Sequence, residues 1–170
     1  MLESFAAWLG GTPLTAFLEN QSWAVPTVQI FHILAITVVV GAATIVNLRI
    51  VGVIERGQSI AALTARFAAP SIVALAVLAA TGFLLIAAEP TRAIFRYLFW
   101  AKMALLLAAV GLTAGLLAGL KEGGGAFSDP AARVAAPYRL VAVLILLLWA
   151  AIIVAGRWIG YAEGWPGSPQ

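Results

Sequence analysis

Cysteine is absent from the 170-residue chain, and histidine occurs once, at position 32. The first absence removes disulfides, thiolate metal sites and thiol nucleophiles, and the second prevents a His-rich metal cluster within one chain. Charge is scarce too: 10% of residues are Asp, Glu, Lys or Arg, against about 25% in a soluble domain. So few polar side chains cannot cover the 63% that are hydrophobic with a water-facing shell, so a soluble globular fold is excluded and lipid must be the solvent. Ten Lys and Arg against seven Asp and Glu leave a charge of +3 with no basic run, which argues against nucleic acid as a partner despite a pI of 9.8. No G-x-S-x-G, H-E-x-x-H or P-loop sequence occurs, and no apolar run holds paired carboxylates. Nothing positions a nucleophile, which favours a non-enzymatic role.

What remains is apolar sequence, with a mean hydropathy of +1.03. Four stretches, 26–46, 71–88, 98–120 and 140–156, each match the roughly 17–25 residues that cross about 30 Å of hydrocarbon. The expected fold is a single all-α membrane domain, a four-helix bundle in a lipid bilayer. Pro26 and Pro70 stand where a helix can begin without its first N–H, and Pro90 follows Glu89 where the second span should stop. Residues 1–22 read as short interfacial helices. Leu2, Phe5, Ala6 and Leu9 share one face, and Thr12 as N-cap with Pro13 opens a second helix carrying Leu14, Phe17 and Leu18. Glu3 and the lack of any base before Gly11 do not suit a secretory signal.

Between the first two spans, Ser59 is placed to cap a short amphipathic helix with Ile60, Leu63 and Phe67 on one face. Segment 121–137 reads as a flexible cytoplasmic loop, with the run Gly123-Gly124-Gly125 and a helix start at Ser128-Asp129-Pro130; residues 164–170 are expected to fray. Arg49, Arg56, Arg66, Lys121, Arg133 and Arg139 gather on one side of the membrane, against Arg92, Arg96, Lys102 and Arg157 on the other. The positive-inside rule then puts both termini outside, with Trp8, Trp23, Trp100, Trp158, Trp165, Tyr97 and Tyr161 at the outer interface.

His32 lies six residues inside the first apolar stretch, roughly 9 Å deep. An ionisable group at that depth points to function, because leaving it unpaired there is costly; the alternative is an interhelical hydrogen bond that only holds the bundle together. Gln29, one turn earlier, is placed to fix its tautomer. Antiparallel packing brings Glu89, Arg92, Arg96, Lys102 and Arg157 to the same end, giving a net positive pocket suited to a haem propionate, a quinone oxygen or a lipid phosphate. For Lys102 and Arg157 simple snorkelling is the competing account, and for Glu89 with Arg92 a helix-end salt bridge. Met103 offers a thioether for a His and Met haem or a copper(I) pair, against its commoner use as packing filler; bis-histidine haem in one chain is excluded. Gly111, Gly115 and Gly119 form overlapping G-x-x-x-G motifs, a helix-packing face for the bundle itself or for a partner chain.

The string Ser22-Trp23, Pro26, Gln29 and His32, followed by Gly41, Asn47-Leu48-Arg49, Glu89-Pro90 and Lys102-Met103, resembles a bacterial family of small four-span membrane proteins of unknown function. In that family an acidic residue often precedes Leu-Arg, where this chain has Asn47. The resemblance implies a bacterial inner-membrane location and supplies no activity. A looser likeness, to the copper-resistance D and cytochrome b561-like bundles, implies haem, but those use several membrane histidines. The reading that follows is an accessory or anchor protein, as a homo-oligomer or within a membrane complex, with a ligand or partner held at His32. The rivals are an electron carrier binding b-type haem, with His32 as the metal ligand, or quinone, and an oligomeric proton or solute transporter relaying through His32 and Glu89.

Overall fold

Helix length follows the apolar runs. The computed structural model describes residues 1–158, and these form eight helices: α1 (Leu2–Gly10), α2 (Pro13–Asn20), α3 (Ala24–Val51), α4 (Ile60–Ala88), α5 (Pro90–Ile94), α6 (Tyr97–Glu122), α7 (Gly125–Ser128) and α8 (Ala136–Trp158). Four of them, α3, α4, α6 and α8, are long and apolar enough to cross a membrane. At 1.5 Å per residue they run about 35–44 Å, beyond the hydrocarbon alone and into the headgroup layer.

The spans pack as a chain of neighbours. α4 lies on α3, α3 on α8 and α8 on α6, whereas α4 and α6 do not pack on each other among the described residues. Their near ends are bridged only by α5, which touches both. Thus three seams of the bundle bring their backbones close together, and the fourth, between α4 and α6, does not. Ile50, Ile60, Leu63, Leu120 and Ile145 are fully buried and anchor a core to which all four spans contribute.

Several local expectations need correction. Pro70 does not start a helix: α4 runs unbroken from Ser59, whose hydroxyl caps Ala62 N at 3.1 Å, through Pro70 to Ala88. Ala68, Ala69 and Pro70 are all exposed, so the ring has room and only one ladder hydrogen bond is forgone. Segment 121–137 is built into the structure. Phe127 and Val134 pack on the core, Asp129 Oδ1 accepts from Ala131 N at 2.8 Å, a short helix ends at Ser128 where one was expected to begin, and the last span starts at Ala136, ahead of 140. At the end of α3, Gly52 adopts φ 88°, a left-handed C-cap that a side chain would strain.

The N-terminal helices form as the sequence suggests. Thr12 Oγ1 accepts from Thr15 N, and Pro13 occupies the first turn. The hairpin docks through Thr15, which is buried with its hydroxyl 2.8 Å from both Leu9 O and Ala87 O. Ala87 O is one of the last carbonyls of α4, which its own helix cannot satisfy. We expect Thr15→Val to loosen this dock by about 1–2 kcal/mol, seen as faster hydrogen exchange in residues 1–20 with the spans unaffected. Unchanged exchange would show that apolar packing alone holds the hairpin.

Candidate functional site

The polar residues near the N-terminal end of the bundle fall into two pairs on opposite sides. The first joins α3 to α4. His32 is eight residues into α3, about 12 Å along its axis, and is half-buried. Its Nδ1 lies 2.8 Å from Thr81 Oγ1, and its Cε1 comes within 3.6 Å of where a Cβ on Gly82 would stand. The ring is therefore fastened to α4 through one nitrogen and one edge.

The second pair joins α6 to α8. Lys102, five residues into α6, lays its side chain over Gly156, where a Cβ would meet Nζ at 3.6 Å and Cε at 3.7 Å. The absent side chain at Gly156 leaves room for that ammonium to cross α8. Lys102 Nζ has no hydrogen-bond or ion-pair partner among the described residues. Each of the four spans thus takes part in one of two polar pairs at this end of the bundle.

The remaining sequence candidates are spread around it. Gln29 is exposed and makes no hydrogen bond to the imidazole, whose partner is Thr81. Glu89 is exposed at the junction of α4 and α5, about 12 Å beyond Thr81 along the helix. It lines a separate cavity of about 380 Å³ with Leu18, Glu19 and Ser22. Arg157 is exposed and Arg96 is buried at the N-cap of α6. The side chain of Arg92, together with Tyr161, Trp165 and segment 164–170, lies outside the described residues. Met103 is half-buried beside Lys102, and no group of three or more His, Cys, Asp or Glu side chains among the described residues is placed to hold a metal ion. Trp8, Trp23, Trp100, Trp158 and Tyr97 are exposed around this end, with Trp100 Nε1 donating to Ile94 O at 2.9 Å.

The glycine stripe of α6 divides. A Cβ at Gly111 or Gly115 would meet nothing within 4 Å, whereas one at Gly119 would stand 3.2 Å from the Tyr138 ring of α8. Only Gly119 is a close approach within the chain.

Thr81 is the residue sequence reasoning passed over. It is the one polar residue between Ser71 and Glu89, a signal that was there to be read but that does not name its partner. Among known proteins, a family model described as a family of unknown function (DUF6644) matches residues 21–162, taking in all four spans and both polar pairs. No curated protein and no solved structure matches the chain.

Proposed function

The chain belongs to that family of unknown function, and from the geometry of its polar region we propose a non-enzymatic membrane accessory or anchor protein whose pocket at His32 binds a ligand or partner. On this reading it sits in a bacterial inner membrane with both termini outside, and the pocket lies in the outer leaflet, with His32 and Lys102 as its polar groups. The observation that carries the proposal is a fastened imidazole, whose Nε2 has no partner among the described residues, together with an ammonium that also has none, at the same end of the bundle. A purely structural histidine would be expected to spend both ring nitrogens on the bundle.

A second reading, electron transfer through b-type haem or quinone, is favoured by the same open Nε2. A ring held by a hydrogen bond at one nitrogen and open at the other is how an axial ligand, or a partner for the reduced hydroquinone, is presented.

Purification in mild detergent, followed by a visible spectrum and mass spectrometry of extracted small molecules and co-purifying proteins, tests both. The expected result is a bound component that is lost in His32→Ala and reduced at least about tenfold in Gly156→Leu, where the new side chain displaces Lys102. A Soret band that His32→Ala removes selects the haem version. Identical content in wild type and both variants would reject the pocket.

A further inference from the structure

The hydrogen bonds around Thr81 determine which nitrogen of His32 carries its proton. Thr81 has one hydroxyl proton, and Val77 O lies 2.6 Å from Oγ1, with Leu78 O at 3.4 Å. That proton is taken by the helix carbonyl one turn back, the usual bond of a threonine inside a helix. Towards His32, 2.8 Å away, the same oxygen then offers its lone pairs, which matches Nδ1 as the donor. A neutral imidazole protonated at Nδ1 carries a bare lone pair at Nε2.

From this relay, Nδ1–H to Thr81 Oγ1–H to Val77 O, we infer that His32 is locked as a hydrogen-bond acceptor and that its ligand is a lipid-soluble molecule bearing an acidic hydroxyl, a carboxylic acid or a hydroquinone. The inference rests on the His32 pocket proposed above and names its ligand class. The hydroxyl donates to Nε2, whose lone pair is otherwise unpartnered, and the unpartnered Lys102 ammonium at the same end of the bundle favours the negative charge on the ligand oxygen. An ester, ether or oxidised quinone brings acceptors alone and meets a second lone pair at Nε2. The apolar body suits the surroundings of the ring, since Ile30, Phe31, Ile33 and Leu34 on either side of His32 in the chain are exposed apolar side chains. Thr81 is the positioning residue, acting through the ring.

With one histidine in the chain, ¹⁵N-histidine labelling reports this ring alone. In lipid nanodiscs the full-length protein should show Nδ1 protonated and Nε2 bare. Decanoic acid or decyl-hydroquinone should shift the Nε2 resonance, whereas methyl decanoate and the hydroquinone dimethyl ether should bind at least about tenfold more weakly; whichever acid binds identifies the source of the hydroxyl. Thr81→Ser should keep the tautomer, and Thr81→Val should release it and weaken binding by about the same factor. Should Thr81→Val fail to fold, the wild-type tautomer and the acid-to-ester contrast decide. A wild-type ring protonated at Nε2 overturns the inference. Equal shifts from acid and ester overturn the ligand class while leaving the pocket standing, and silence from every probe overturns the ligand class, with the extraction comparison of wild type and His32→Ala then deciding the pocket itself.

Discussion

Arg49→Ala is expected to lower the stability of the folded protein by about 3 kcal/mol, the largest single-residue effect at the end of the bundle away from the N-terminus. Arg49 is only 4% exposed, yet its partners are carbonyls on two different connections: Nε donates to Gln58 O at 2.7 Å and Nη2 to Pro130 O at 3.1 Å. One guanidinium thereby ties the α3–α4 loop to the segment that leads into α8. Each bond is charge-assisted, worth roughly 1.5–3 kcal/mol where the partner is otherwise buried, and the cation sits in the last turn of α3, where the helix dipole favours it. Arg49→Lys should recover less than half of the loss, because an ammonium on a flexible stem cannot serve two carbonyls held in a fork. The measurement is reversible unfolding in mixed micelles, with hydrogen exchange resolving the two loops. A loss under about 0.5 kcal/mol would mean that the loops are held by Phe127 and Val134 alone.

That tie also shows where reading the sequence stops. Arg49 is visible in the chain as one of six basic residues on its side of the membrane, a count that orients the helices and says nothing of Pro130, eighty-one positions away. The spans themselves were legible because a run of apolar residues this long has one stable solution in lipid, and the Thr12-Pro13 signal is local chemistry complete within four residues. Pro70 misled because its punctuation is a soluble-protein rule: on an exposed face in lipid the helix tolerates it. The His32 site was half legible. An imidazole within an apolar run announces itself, but Gln29 was the wrong neighbour to choose, since spans that are apolar all round carry no periodicity to show which face turns inward. Gln29 faces outward, and the partner came from the last third of another helix. Asn47 poses the same problem: Nδ2 donates to Ala43 O at 2.8 Å, while the buried Oδ1 has no partner among the described residues, and nothing local foretold it.

The α6 to α8 seam gives the second large effect. Gly119→Leu is expected to destabilise the bundle by about 2–3 kcal/mol, whereas Gly111→Leu and Gly115→Leu should each change it by less than about 0.5 kcal/mol. The three glycines are equivalent by sequence spacing, and only geometry separates them. At Gly119 even a methyl group would stand 3.2 Å from Tyr138 Cε1 and 3.4 Å from its hydroxyl, which itself donates to Gly119 O at 3.4 Å. A branched side chain there must drive Tyr138 off its rotamer or push α8 away. At Gly111 and Gly115 the same atoms enter open space. Because Lys102 crosses Gly156 on this same helix pair, a displaced α8 also moves the ammonium relative to His32, so Gly119→Leu should weaken probe binding from about 25 Å along α6, while Gly111→Leu, closer to the site, should not. Equal losses from all three substitutions would show that the whole stripe is a packing face after all, and would require a second chain to cover Gly111 and Gly115.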